Sequence, residues 1–311
     1  MLTDEQDKRM KRVESIWVNT PAMARVISSI ETARERSAYS IEPKCMFLSG
    51  PAGVGKTFIA ELYAGQHPPR DVDDRTVVPV LYAVTPAPGQ VGALATALLK
   101  AIGDPFCDRG TIDNKTRRLR HLLEKCGVEI ILIDEIQHLA DKTRRRVLHD
   151  SANWLKTLIL ETRLPVVAIG VPYASRIIDA DPQLKGRFSV ETSLEPYDWR
   201  SPEQREDFIT FLSHVDDALP FARPAGLAEP EVALALYQAS SGIPRLFMKV
   251  ICTAAHMAIR EDSMRITLED LAEAYVRELN HFAGNAPNPF RVETKMSNLV
   301  RAGVFGLDES W

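Results

Sequence analysis

The eight residues Gly50-Pro51-Ala52-Gly53-Val54-Gly55-Lys56-Thr57 constrain this chain more than any other stretch. They follow a short apolar run, residues 45–48, and precede the helix-favouring residues 58–64, so a strand runs into a glycine-rich turn and then a helix. Glycines let backbone N–H groups wrap a phosphate, and the helix N-terminus favours its negative charge. This spacing in this setting is the phosphate-binding loop. Lys56 is expected to reach the β- and γ-phosphates of a bound nucleotide, and Thr57 to ligate magnesium. All eight residues, with Phe58 behind them, are expected to line the nucleotide.

A second motif completes the first. Ile130-Ile131-Leu132-Ile133 reads as a buried strand that delivers Asp134 and Glu135 at its end, an expensive place for two carboxylates unless they have a task. Asp134 is expected to hold the magnesium directly or through water, and Glu135 to orient or deprotonate the attacking water. An Asp-Glu pair also opens ordinary helices, but the loop upstream favours chemistry. A GTPase would need Asn-Lys-x-Asp, and Asn114-Lys115 continues Thr116-Arg117 instead. A small-molecule kinase fits the loop alone and leaves Glu135 and the helical C-terminal part unexplained.

Further apolar runs at residues 77–84, 129–133, 165–169 and 189–194 alternate with helical stretches at 91–102, 115–125 and 150–161. That alternation predicts an α/β fold, a parallel sheet with helices on both faces and its ligand at the carboxyl ends of the strands. Beyond residue 200 the pattern turns helical, at 203–215, 229–240, 245–260 and 268–279, which predicts a small all-helical lid domain. Two helices precede the core, the second opening at Pro21 with Thr20 placed to cap it. The boundaries expected are an N-terminal helical segment 1–40, the nucleotide-binding domain 41–200, the lid 201–280 and a tail 281–311 able to dock a partner or pack on its own domain. No apolar run spans a membrane and the start lacks a signal peptide's apolar core, so a cytoplasmic protein without membrane contact is expected. Cys45, Cys107, Cys126 and Cys252 lack C-x-x-C spacing and read as reduced core residues.

In the order of its motifs the chain resembles the AAA+ ATPases that regulate transposition, the TniB/TnsC family. Across roughly residues 15 to 280 the resemblance is carried by Ile16-Trp17-Val18 with Pro21, SGPAGVGKT, PVLYAV followed by Pro-Ala-Pro-Gly, ILIDEIQHLADKT, PVVAIGVPYA, LKGRF and SGIPRLF. It implies ATP and Mg2+ as cofactors and a homo-oligomer, ring or helical filament. It also implies that Arg187 reaches the γ-phosphate of the neighbouring subunit, with Lys185 as the fallback, that Arg245 is the lid-side sensor, and that Trp17, Val18 and Pro21 flank the adenine. Where the superfamily has a polar first sensor, strand 166–169 ends in Gly170-Val171. Slow, switch-like hydrolysis fits that departure.

A formal charge of -4 leaves nucleic-acid binding to a local patch. Lys142-Thr143-Arg144-Arg145-Arg146 follows the acidic strand, on the edge that the resemblance turns toward a ring's pore, with Arg109 and Thr111 expected beside it. A second basic group, Lys115, Arg117, Arg118 and Arg120, reads equally well as a solvated helix face. The implied partners are double-stranded DNA, held through its backbone without base reading, a DDE-type transposase and a target-selecting adaptor protein. The rivals are a helicase loader or origin-binding ATPase, and a signalling or secretion ATPase that ignores DNA.

Overall fold

The computed structural model describes residues 3–40, 42–140, 145–283 and 287–291. The chain forms two compact units, Pro21–Glu195 on one hand and Met1–Thr20 with Pro196–Trp311 on the other. Helix α1 (Asp4–Glu14) belongs to the second unit and α2 (Pro21–Ser37) opens the first. In the first unit there follow β1 (Met46–Ser49), α3 (Lys56–Gln66), the hairpin β2 (Arg70–Val72) and β3 (Arg75–Val77), β4 (Val80–Val84), α4 (Val91–Ala101), α5 (Ile112–Lys125) and β5 (Ile130–Asp134). It ends with α6 (Arg145–Thr162), β6 (Val166–Gly170), α7 (Ser175–Asp179), α8 (Pro182–Arg187) and β7 (Val190–Ser193).

Five strands form one parallel sheet in the order β4-β5-β6-β1-β7. Strands β1, β5 and β6 are buried along their whole length, which is why they read as continuous apolar runs. Successive side chains go to opposite faces. Phe47, Ile131, Ile133 and Ala168 pack with Leu94 and Leu98 of α4, Leu119 of α5 and Leu155 of α6. Met46, Leu48, Ile130, Leu132 and Val167 pack with Val26 and Ile30 of α2 and Ile59 and Tyr63 of α3. This is the doubly covered α/β sheet that the sequence predicts.

Residues 77–84 do not form one strand. Pro79 has no N–H for a ladder; Val77 ends the β2–β3 hairpin, and the Pro79 carbonyl accepts from the N–H groups of Glu129 (2.9 Å) and Ile130 (3.3 Å). The hairpin itself, short and exposed, gave too little apolar alternation to be read.

The second unit adds α9 (Pro202–Ala218), α10 (Pro230–Ser240), α11 (Pro244–Arg260) and α12 (Leu268–Ala283) to α1. Its core joins Phe208 and Leu212 of α9, Leu236 of α10, Phe247 and Ile251 of α11 and Leu271 of α12 to Val13 and Val18 from the N-terminus. Gln6 of α1 donates to the Ile259 carbonyl at 3.1 Å. The N-terminal segment 1–40 is therefore two things: residues up to Thr20 complete the helical unit, whereas α2 covers the sheet. Burial decides this, since Val13 and Val18 find apolar partners in one unit and Val26 and Ile30 in the other. Of the tail, Phe290 is buried against Tyr275 and Asn288 donates to the Ala272 carbonyl at 2.9 Å; residues 292–311 lie outside the described residues. No single helix among the described residues is long and apolar enough to cross a membrane.

Gly242 anchors the turn into α11. It has φ +74°, its carbonyl accepts from the Tyr197 N–H at 3.0 Å, and a Cβ there would meet the Tyr197 carbonyl oxygen at 2.2 Å. Gly242→Ala is expected to destabilise the helical unit by roughly 2–4 kcal/mol, combining left-handed strain with a backbone clash. Urea unfolding checks this, and an unchanged midpoint would remove the argument.

Candidate functional site: a phosphate loop above two carboxylates

The loop between β1 and α3 is built for an anion. Gly53 (φ 87°) and Gly55 (φ 105°) take left-handed conformations that a side chain would strain, and a Cβ on Gly55 would meet nothing within 4 Å. No side chain caps α3 at Gly55, so the N–H groups of its first turn face that opening. The Lys56 ammonium is buried and donates to the carbonyls of Gly50 (2.7 Å) and Pro51 (2.8 Å). A cation held at the rim of an uncapped helix start, under glycines that leave room for a ligand, fits a polyphosphate.

Behind it, the Thr57 hydroxyl donates to Asp134 Oδ2 at 2.7 Å. Asp134 is 1% exposed, and its Oδ1 accepts the Glu135 N–H at 2.7 Å. A hydroxyl and a carboxylate side by side are the hard oxygen donors that magnesium takes, so Thr57 and Asp134 fit that ion. Tyr82 also donates to Asp134 Oδ2, at 3.3 Å. Burial and the adjacent carboxylate push its phenol well above the ordinary range, which keeps it a donor. The sequence reading passed over Tyr82; its signal is the register, since Tyr82 and Val84 of β4 pair with Leu132 and Asp134 of β5.

Glu135 differs from its neighbour in every respect that matters for chemistry. Its side chain is 40% exposed, and its backbone sits at φ 54°, turning the chain out of β5 into the 3-10 turn Ile136–Leu139. The Gln137 amide donates to Glu135 Oε2, and His138 Nε2 lies 3.8 Å from the same oxygen. One carboxylate is thus buried and bonded, as a metal ligand is, and the other is open to water, as a base is. Gln137 is the second residue the sequence reading missed.

The remaining expected site residues are spread more widely. Pro21 begins α2 and Phe58 lies exposed on α3. Val18 is buried in the helical unit, Trp17 there is exposed, and Arg245 stands exposed in the first turn of α11. Arg187 does not project outward: its side chain is 13% exposed, donates to the Gln183 carbonyl at 3.0 Å and lies 3.6 Å from the Glu42 carboxylate. Lys185 is 67% exposed and pairs with Asp179 at 2.7 Å.

Among the basic residues, Lys142, Thr143 and Arg144 lie outside the described residues. Arg145 and Arg146 open α6, with Arg146 exposed. Arg109 is exposed with its guanidinium 5.0 Å over the Phe106 ring, and Thr111 caps α5, accepting from Asn114 N–H at 3.3 Å. The second basic group is largely spent inside the unit. Lys115 donates to Thr96 at 2.7 Å, Arg118 to Asp104 at 2.6 Å, and Arg120 pairs with Glu161 at 3.0 Å. These contacts favour the structural reading of that group.

A family model described as bacterial TniB protein matches residues 9–198. No curated protein matches the sequence. Among solved structures, the Aeropyrum pernix ORC1 protein in complex with DNA has a TM-score of 0.62 at 17% identity, over 86% of this chain and 69% of that one. CDC6P from Pyrobaculum aerophilum gives 0.63 at 15%, over 89% and 74%. The Aeropyrum pernix ORC2 protein, in ADPNP–ADP complexes, gives 0.61 at 13%, over 86% and 71%. At those identities the likeness is one of fold, a parallel α/β sheet domain with a helical domain.

Proposed function

The chain belongs to the TniB family, and from that membership we propose that it is an ATP-hydrolysing regulator of DNA transposition. It assembles on double-stranded target DNA with ATP bound, recruits or activates a DDE-type transposase, and is released when ATP is hydrolysed. The observation that carries the reading is the pairing of a buried, Thr57-bonded Asp134 with a solvent-open Glu135 beside the loop that holds Lys56.

In this reading Lys56 exchanges its two loop carbonyls for β- and γ-phosphate oxygens, and the N–H groups of residues 53–57 hold the remainder. Thr57 and Asp134 would hold magnesium, whose charge neutralises that developing on the transferred phosphoryl group. Tyr82 and the Glu135 N–H fix the Asp134 carboxylate. Glu135 orients a water in line with the γ-phosphorus and takes its proton. Arg187 of one subunit acts on its neighbour's nucleotide, for which it must leave Gln183 and Glu42; Arg245, with Trp17, Val18 and Pro21, is assigned to the nucleotide from the family resemblance. Arg109, Thr111, Lys142, Thr143, Arg144, Arg145 and Arg146 hold DNA phosphates, and repetition across a homo-oligomer supplies the affinity that a net charge of -4 does not. A target-selecting adaptor completes the set of partners.

The test is electrophoretic mobility of a duplex with ATP, ADP or a non-hydrolysable analogue, on wild type and on Lys142→Ala/Arg144→Ala. Binding is expected with ATP and the analogue, weakening steeply with salt, and falling about ten-fold or more in the variant. Equal or absent binding in every nucleotide state would sink the transposition reading and point to an ATPase that acts on protein.

A further inference from the structure

We propose that Gln137 is a positioning residue for Glu135, occupying space that a glycine at the end of β6 leaves open; the proposal rests on the ATPase reading above. Strands β5 and β6 run side by side, with Ile133 opposite Ala168; β5 ends in Asp134, with Glu135 next in the chain, and β6 ends in Gly170. A Cβ on Gly170 would stand 2.6 Å from Gln137 Oε1, 3.0 Å from an Ile136 methyl and 3.4 Å from Ala174 Cβ. Any side chain at 170 therefore displaces Gln137. The absence of one is what admits it.

Gln137 is held at both ends of its amide. Its Oε1 accepts the Val171 N–H at 3.4 Å, and its Nε2 donates to Glu135 Oε2. The order is forced, because the reversed amide would set an N–H against the Val171 N–H and an oxygen against a carboxylate. Glu135 needs this restraint. It stands at the mouth of the strand with a side chain 40% exposed, free to turn unless something fixes it. The amide bonds Oε2, whereas the His138 ring, 3.8 Å from the same oxygen, is beyond hydrogen-bond range. Gln137 thus selects Oε1 as the oxygen that meets water, and an uncharged donor does so without neutralising the base.

The experiment measures ATP turnover and binding of a fluorescent non-hydrolysable ATP analogue for wild type, Glu135→Gln, Gln137→Ala, Gln137→Met, Gly170→Asn and the double variant Gln137→Ala/Gly170→Asn. Loss of the restraint is expected to lower kcat roughly 10- to 100-fold in Gln137→Ala and Gln137→Met, with KM and analogue affinity within about two-fold. Gln137→Met keeps the bulk and removes the donor, so it reads the same role if the alanine variant folds poorly. Gly170→Asn alone is expected to lower kcat by evicting Gln137. In the double variant the new amide enters the vacated space, and kcat is expected to exceed that of both single variants.

Losses that multiply in the double variant overturn the proposal, since they show that positions 137 and 170 act independently. Full turnover in Gln137→Ala and Gln137→Met, with turnover lost in Glu135→Gln, overturns it and leaves the ATPase reading standing. Equal turnover by wild type and Glu135→Gln overturns both.

Discussion

Glu135→Gln is expected to lower the rate of ATP hydrolysis about 10²- to 10⁴-fold, the range a general base contributes, while leaving nucleotide binding intact. The reason is a division of labour between adjacent carboxylates. Asp134 is buried and accepts from Thr57, Tyr82 and the Glu135 N–H, so its carboxylate is already engaged. Glu135 is open to solvent, and its known contacts fall on one oxygen. A glutamine keeps the shape and cannot accept a proton. If the switch operates as proposed, the variant also stays on duplex DNA in ATP, since the step that releases it is blocked. Phosphate release under single-turnover conditions, beside analogue binding, gives the answer. Wild-type turnover in the variant would show that Glu135 is only the start of the turn Ile136–Leu139.

Lys56→Ala is expected to weaken ATP binding about 100-fold or more, which corresponds to roughly 2.7 kcal/mol or more, and to abolish turnover at ordinary ATP concentrations. The ammonium is buried and bonded to two loop carbonyls, and charge-assisted bonds to phosphate are among the stronger ones a side chain makes, about 1.5–3 kcal/mol each. The sensitive readout is thermal: ATP should raise the melting temperature of the wild type by linkage and leave that of the variant unmoved. Melting without nucleotide should change far less, because the removed group faces the loop and not the core of β1 and α3. A variant that still gains stability from ATP would mean that the loop's N–H groups alone carry the affinity.

Much of this was legible because both motifs are local. An eight-residue loop between a strand and a helix, and four apolar residues ending in two acids, are each recognisable from consecutive residues, and the structure places them as read. Sheet and helical parts were legible through periodicity, since β1, β5 and β6 are buried on both faces and carry no polar interruption. Where the reading failed, a single residue or a distant partner decided. Pro79 cut a strand that composition continued. Val13 and Val18 joined residues two hundred positions away in the chain, and nothing in the first twenty residues says so. The sequence leaves Lys115 and Arg118 open between a binding patch and a helix face, and their acceptors at Thr96 and Asp104 favour the latter.

The sequence by itself determined the family, the α/β sheet, the phosphate loop and the two acids, because each rests on residues adjacent in the chain or on a regular period. Only the tertiary structure decided that Tyr82 steadies Asp134, that Arg187 lies against its own unit, and that Gln137 sits where Gly170 makes room beside Glu135. Those are contacts between chain segments that parallel strands bring together at their carboxyl ends. A hydrogen bond between such segments depends on register and on space, and neither quantity is written in any one of them.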